Sequence, residues 1–428
     1  MDQPEAAVRT RAIASAGGVL FLLYLLNTLL VLDKIVLTIL LEPIKAEFRL
    51  TDAQLGLLAG TVYAVCMGGA SLPLGWAVDR YSRRKLAAGC LAVWSVMTAA
   101  CGMATSFVTL LLARVGVGLG EAGGGPASLS IIADLYPHKR RATAMAVFSL
   151  GTPSAALINL VVNTQVVHHY GWRAALLLAA VPGVVLALVI WLFMQEPQRG
   201  AAEAHRRNTD APHLAETFRY IAGQRALLHL LAGAMIAYIV LAGVSSWNFS
   251  FIVREHGVSL KDIGPFLGVG ISSAGLAGLY LAGRLADFLA PRDERWRCWI
   301  MAATSLASVC FGLVTFTTGH LWLAVIGTAL LAASATLWVA PGYALSQSLV
   351  ELRMRGTVAA IVFLLGNLFG YGLGPLAIGS LSDLFAGMGL VAPLKWAIIT
   401  VLCANVWAAA HFILAARHLR ADLARAAG

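Results

Sequence analysis

Four ionisable residues lie inside apolar stretches of this sequence, where a charge is costly unless it has a partner: Asp33, Lys34, Arg114 and Glu121. Arg114 and Glu121 are seven residues apart within the apolar run from about 106 to 135, so they fall two helical turns apart on one helix face. Asp33 lies in another apolar run. A charge at membrane depth costs about 2.5 to 3.5 kcal/mol on lenient insertion scales, so it is normally kept where it faces protein or water. These residues predict a polar functional site inside a membrane.

The elements that must position these residues are transmembrane helices. The 428 residues are 59% hydrophobic and 12% charged, and the mean hydropathy is +0.79. Apolar runs of roughly 18 or more residues recur along the chain, which is enough to cross a hydrocarbon core about 30 Å thick. The net charge of +10 comes from basic residues in short loops, which indicates topology determinants and argues against nucleic-acid binding.

The sequence predicts an all-α integral membrane protein with twelve transmembrane helices in two pseudo-symmetric six-helix halves. The N-terminal half covers 1–194, a polar cytoplasmic linker covers 195–225, and the C-terminal half covers 226–428. The predicted spans are 18–41, 53–77, 86–105, 108–136, 143–167, 173–194, 226–253, 262–286, 298–317, 320–350, 357–383 and 391–416.

Two pairs of loops show that the halves repeat each other. The loop PHKRRATA at 137–144 is echoed by ELRMRGTV at 351–358, and GWAVDR at 75–80 is echoed by GRLADF at 283–288. Parallel structural repeats of this kind are common in secondary transporters.

Lysine and arginine concentrate in the loops of one side, which predicts that both termini and the linker are cytoplasmic. The polar segment 1–17 lacks the apolar core and cleavage site of a signal peptide, so the first span is expected to direct insertion into the cell inner (plasma) membrane.

No cofactor or metal site is expected. The six cysteines lie in or beside spans without a C-x-x-C pair, and His168 and His169 are adjacent, the wrong spacing for two ligands on one helix face. A phosphate-binding G-x-x-x-x-G-K motif is missing from the sequence. The protein is therefore not expected to be an enzyme.

On these motifs, the whole chain resembles the major facilitator superfamily. The segment 75–85 (GWAVDRYSRRK) is similar to the signature loop between the second and third spans, and 283–287 is similar to its weaker second copy. The pairs Asp33-Lys34 and Gln54-Leu55 before Gly56, with 42–45 (EPIK) and 114–122, resemble the bacterial branch of the Spinster-like (Spns) transporters. That branch usually has an arginine where Lys34 stands, so the planar, two-pronged guanidinium is missing here.

The resemblance implies alternating access between two six-helix halves and proton coupling in bacterial members. In animal relatives it implies the movement of lysolipids or sphingosine-type lipids. It also implies an inner gate built from the signature loop and its copy, whose residues here are Gly75, Asp79, Arg80, Arg83, Arg84 and Asp287. In the alternative interpretation, the arginines only set the topology.

Asp33 and Arg114 are predicted to lie at nearly the same membrane depth, so they can pair. Loss of the arginine partner favours protonated aspartate, as a proton carrier requires. Asp33 is thus a proton-coupling or substrate-sensing site, or a structural ion pair. Glu121 is either a second protonation site or a carboxylate that fixes the fourth span, and Lys34 either contacts a phosphate or carboxylate or reaches a polar partner along a helix groove.

The second half carries neutral polar and aromatic candidates where the first half carries charges. The predicted cavity is lined by spans 1, 4, 7 and 10, with charged residues on one wall and aromatic and amide residues on the other. Such a cavity suits an amphiphile, whose polar head would face the charged wall and whose apolar body would face the other. For any single aromatic, helix packing is the competing interpretation. The predicted substrate contacts are Lys34, Arg114, Tyr238, Trp247, Asn248, Trp338, Tyr343, Gln347, Asn367 and Tyr371.

The sequence thus predicts a monomeric, proton-coupled secondary transporter, with a lysolipid, sphingoid or other amphiphile as substrate. The alternatives within transporters are a proton-coupled carrier of a small organic anion and an amphipathic drug exporter. A membrane receptor is disfavoured, because paired gate loops serve no purpose without alternating access.

Overall fold

The structure is a computed structural model that describes residues 15–198, 214–351 and 354–427. The described residues are predominantly helical and contain no β-strand. The predicted all-α membrane fold is confirmed.

Helices correspond to all six predicted spans of the first half. The helices and π-helical segments (η) are Ala16–Phe48, Asp52–Gly56, Leu57–Thr61 (η), Val62–Arg80, Arg83–Gly102, Phe107–Glu121, Gly124–Leu135, His138–Ser149, Gly151–Leu157, Ile158–Asn163 (η) and Thr164–Phe193. The last of these contains the junction of spans 5 and 6, because the backbone at Gly171 turns with φ 81° and ψ 169°. That left-handed φ is open to glycine at little steric cost.

The second half begins after a short helix, Leu214–Gly223, at the end of the predicted linker. Its helices and π-helical segment are Arg225–His256, Leu260–Leu289, Trp296–Thr317, Leu321–Leu337, Val339–Ser348, Arg355–Leu364, Leu365–Tyr371 (η), Gly372–Gly387 and Pro393–Ala427. Within the described part of the chain, ten stretches are long and apolar enough to cross a membrane, and one of them, Thr143–Phe193, holds both the fifth and the sixth span.

The chain divides by its contacts into two compact units, and unit 1 comprises Met1–Val36, Val65–Ile158 and Val166–Arg207. Spans 3 and 4 pack tightly in this unit, because a Cβ on Gly120 would lie 2.8 Å from the backbone nitrogen of Trp94. Span 4 is interrupted between Glu121 and Gly124, so it consists of two helical pieces. Both features agree with the close packing and bending expected of a glycine-rich membrane helix.

Unit 2 comprises Leu37–Ala64, Asn159–Gln165 and Asn208–Gly428. Its core is an apolar cluster on spans 7, 9, 10 and 12 that includes Met301, Trp338 and Phe412. The segments 37–64 and 159–165, which precede the linker in sequence, are part of this unit. The units follow contacts and the predicted halves follow chain order, so the predicted domain boundaries stay a prediction.

Candidate functional site

Asp33 and Arg114 form a buried ion pair in unit 1. Nη1 of Arg114 lies 3.4 Å from Oδ2 of Asp33, and the two residues are only 1% and 4% exposed, respectively. The hydroxyl of Thr98 on span 3 donates to the other carboxylate oxygen. Asp33 and Arg114, which were predicted to lie at nearly the same membrane depth, are thus in contact. Thr98 also contacts Asp33, although the sequence analysis did not single it out.

Glu121 and Lys34 lie close in sequence to this pair but in different surroundings. Glu121 ends the helix that carries Arg114 and is completely buried. Lys34 follows Asp33 and is half-buried. The roles of both residues stay predictions.

Arg83, from the predicted gate loop, is anchored within unit 1. It is 2% exposed and forms an ion pair with Asp134 at the end of span 4 and another with Glu196 after span 6, at 3.6 Å. The carboxylate of Glu196 also accepts hydrogen bonds from Ser82 and from the backbone N–H of Arg83. Sequence reasoning missed both acids, because each lies at the end of an apolar run, where a charged residue is common.

The other predicted gate residues behave differently. The guanidinium of Arg80 lies 4.1 Å from the ring centre of Trp76, and Arg84 donates to the carbonyl of Met194 at 2.8 Å. Arg83 thus contacts two acidic groups, whereas Arg80 contacts an aromatic ring and Arg84 a backbone carbonyl, and their predicted gate role stays a prediction. Gly75 is half-buried on span 2. The side chains of Asp79 and Asp287 lie outside the described part of the structure.

Three tyrosines and a tryptophan gather in unit 2. The ring of Tyr238 packs edge-on against Trp338, with ring centres 4.7 Å apart, and Tyr343 and Tyr371 lie within electrostatic reach of the Tyr238 hydroxyl. Gln347 lies one turn after Tyr343 on the same helix. These residues form a group of aromatic and neutral polar side chains on spans 7, 10 and 11.

The remaining second-half candidates have internal structural contacts. Trp247 has no exposed surface, and its Nε1 donates to the carbonyl of Pro375 at 2.9 Å. Asn248 is 5% exposed and accepts a hydrogen bond from Thr328 at 3.4 Å. Asn367 donates to the carbonyl of Phe363 in its own helix. In this conformation Trp247 has no surface to offer a substrate, because it joins span 7 to span 11.

A charged cluster in unit 2 was not predicted. Asp52, at the start of span 2, accepts two hydrogen bonds of 2.8 Å from Arg254 and one of 2.6 Å from Lys45. Arg254 also lies 2.8 Å from Glu42. The carboxylate of Asp383 accepts hydrogen bonds from the backbone N–H groups of Asp52 and Ala53, which lie in the first turn of span 2. We call these residues the outer cluster, because the charge pattern predicts that this end of the spans is extracytoplasmic.

The sequence held a partial signal for the outer cluster. Thr51 and Gln54 form a capping box, which fixes the start of span 2 and places Asp52 in its first turn.

The described residues contain no group of three or more histidine, cysteine, aspartate or glutamate side chains that could hold a metal ion.

Helices long and apolar enough to cross a membrane define a multi-pass membrane protein, and the comparisons show that it is a transporter. The model of the Major Facilitator Superfamily matches residues 20–375. An MFS-type efflux pump of Mycolicibacterium smegmatis is 32% identical over 394 residues, which is 90% of this chain and 89% of the relative. A hexuronate transporter of Bacillus subtilis is 25% identical over 87% of this chain and 90% of the relative.

Among solved structures, a bacterial homologue of the human lysosomal transporter Spinster, in an inward-facing and unoccupied conformation, matches with a TM-score of 0.86. It is 27% identical and covers 95% of this chain and 98% of its own. The chain belongs to the Major Facilitator Superfamily, and within it the chain is similar to transporters of the Spinster type. This is a family of transporters and not of enzymes.

Proposed function

We propose that the protein is a proton-coupled secondary transporter that works by alternating access and carries a lysolipid, a sphingoid base or another amphiphile. The observation that carries the proton proposal is the buried pair of Asp33 and Arg114. A buried ion pair repays its desolvation poorly, so it is weak support for a stability role and better support for a switch. Proton uptake by Asp33 removes the charge that holds Arg114, which gives the pair two distinct states.

The amphiphile proposal is supported by the different chemistry of the two units. Unit 1 carries the ion pair with Lys34 nearby, whereas the aromatic group of unit 2 is neutral. The first set has the chemistry to bind a charged headgroup, and the second has the chemistry to bind less polar groups.

We propose that Arg83 and the outer cluster act as gate elements on opposite ends of the spans. Arg83 fixes the cytoplasmic ends of spans 3, 4 and 6, and the outer cluster holds the start of span 2 to spans 7 and 11. Asp79 and Asp287 keep their predicted gate role within this proposal. We also propose inner-membrane insertion as a monomer with both termini cytoplasmic.

The proton proposal is tested with Asp33→Asn in proteoliposomes, because the amide keeps the shape of the carboxyl group but cannot be ionised. Substrate movement driven by a pH gradient should be lost, while the protein still folds and still binds substrate at constant pH, at a lower melting temperature because Arg114 loses its buried partner. Asp293→Asn, a loop aspartate, is the matched control and should transport normally. Full coupled transport by Asp33→Asn would overturn the assignment.

A small organic anion or an amphipathic drug is the second candidate substrate. It is favoured by the similarity to a hexuronate transporter and to an efflux pump. A thermal-shift panel of lysolipids, sphingoid bases, cationic drugs and short organic acids at two pH values separates the candidates. Stabilisation by single-chain lipids supports the amphiphile, and stabilisation by acids or drugs alone favours the second candidate.

A further inference from the structure

Neutral hydrogen-bonding groups meet in unit 2 on three different spans. Tyr238 comes from span 7, Tyr343 and Gln347 come from span 10, and Tyr371 ends the π-helical segment of span 11. We call these four residues the neutral polar cluster. A phenol and an amide each donate and accept hydrogen bonds without carrying a charge. The cluster thus offers paired donors and acceptors.

Gln347 carries a buried donor that the protein itself does not use. Its Nε2 atom is shielded from solvent and has no hydrogen-bond partner among the described residues. An unsatisfied buried donor is destabilising, and native proteins keep few of them. A ligand oxygen that accepts from this amide would account for its retention.

The Tyr238 ring is held rigidly between spans 10 and 11. One side packs against Trp338, and a Cβ added to Gly366 or Gly370 of span 11 would approach Tyr238 to 3.2 or 3.1 Å. Tyr343, by contrast, is 45% exposed, so a ligand can reach this residue. A rigid phenol beside an accessible one is suited to binding a group with several oxygens, because little side-chain entropy is lost.

We infer that Tyr238, Tyr343, Tyr371 and Gln347 form a subsite for an uncharged, hydroxyl-rich part of the substrate, such as a glycerol or sugar moiety. The inference deepens the proposed transport function and rests on it. The four side chains supply hydrogen bonds without a formal charge, so they favour hydroxyl groups over an anion, which would be buried without a counter-charge. The same chemistry can come from a lysolipid headgroup or from a free sugar acid.

The experiment uses two pairs of ligands that differ only in hydroxyl groups. The lipid pair is oleoyl lysophosphatidylglycerol and oleoyl lysophosphatidylpropanol, and the small-acid pair is gluconate and hexanoate. Within each pair the charge and the carbon skeleton are the same. Dissociation constants are measured with the purified full-length protein, and the pair that binds identifies the source of the hydroxyl groups. Wild-type protein should prefer the hydroxylated member by about tenfold or more.

Tyr343→Phe is the most informative variant, because it removes only a hydroxyl from an accessible ring. It should reduce the preference for the hydroxylated ligand about five- to tenfold and leave binding of the deoxygenated partner unchanged. Tyr280→Phe, on a span 8 ring that is 67% exposed, is the matched control and should change neither constant.

Gln347→Leu gives a second, ligand-independent readout. It should lower the preference for the hydroxylated ligand and raise the melting temperature of the ligand-free protein, because an unpartnered amide has been removed. If Tyr343→Phe weakened binding of both ligands of a pair equally, the Tyr343 hydroxyl would not recognise the ligand hydroxyl groups, and the inference would be overturned. An unchanged preference in Tyr343→Phe and Gln347→Leu would do the same.

The failure of the inference and the failure of the proposed function are distinguishable. If wild-type protein binds one pair but does not discriminate within it, the hydroxyl subsite is refuted and the transport proposal stands. If wild-type protein binds none of the four ligands, the subsite is refuted, and so are lysolipids and small organic acids as substrates.

Discussion

Replacing Arg254 by glutamine tests whether the outer cluster holds span 2 in place. Arg254 makes two hydrogen bonds of 2.8 Å to Asp52, whose side chain is only 4% exposed. Removing one partner of a buried ion pair costs about 3 to 5 kcal/mol. Arg254 is itself 22% exposed, and Lys45 and Ser382 still contact the carboxylate, so we expect a smaller cost of about 2 kcal/mol.

A cost of about 2 kcal/mol corresponds to an opening equilibrium shifted about thirtyfold. Leu55 follows Asp52 by three residues and has no exposed surface, so a cysteine placed there reports opening. In a variant without the six native cysteines, Arg254→Gln should raise the rate of Leu55→Cys modification by a membrane-impermeant maleimide about thirtyfold. Asp52→Asn should raise it too, and the double substitution should add little, because one interaction is lost in both.

Arg173→Gln is the matched control. Arg173 lies in unit 1 at the predicted outer side and donates to the carbonyl of Ala104 at 2.7 Å, whereas the outer cluster belongs to unit 2. An unchanged labelling rate in Arg254→Gln, or an equal rise in Arg173→Gln, would refute the idea that the cluster closes this end of the molecule.

Two further predictions concern stability. Gly60→Ala should destabilise the protein by about 1 to 3 kcal/mol and lower its melting temperature, because a Cβ there would overlap the carbonyl oxygen of Tyr371. Gly68 in the same span is the control: a Cβ there has no neighbour within 4 Å, so Gly68→Ala should be neutral or stabilising. Equal effects of the two substitutions on the melting temperature would contradict this packing. In the loop after span 8, hydrogen bonds from Arg295 lower the pKa of Asp293 to about 2. The ionised Asp293 therefore stabilises the folded protein. This stabilisation is complete above the unfolded-state pKa near 3.8 and is lost as the pH falls towards 2. The melting-temperature difference between wild type and Asp293→Asn should therefore be constant above about pH 5 and shrink in acid, and a difference that grows in acid would contradict it.

The sequence predicted the helices well, because a membrane span is a strong signal that is local in the chain. Every predicted span corresponds to a helix, with ends that differ by several residues. The ion pair of Asp33 and Arg114 was also predictable, since two charges at the same depth in apolar runs have few other partners.

Contacts between distant segments could not be predicted in this way. Asp52 and Arg254 are 202 residues apart, and each lies at the end of a span, where a charge is ordinary. Hydropathy also cannot tell a tryptophan that lines a cavity from one that packs between helices. Trp247 was predicted to contact the substrate; it is completely buried and donates to the carbonyl of Pro375 on span 11, and its role stays a prediction.

The π-helical segments in spans 2, 5 and 11 have a consequence for chain length. A π-helical turn holds more residues than an α-helical turn, so each segment stores an extra residue inside an otherwise regular helix. A relative one residue shorter at 57–61, 158–163 or 365–371 can keep the same faces buried on both sides of the segment. A gap of one residue at these places in a comparison of relatives therefore marks a change in helix type, and not the loss of a core position.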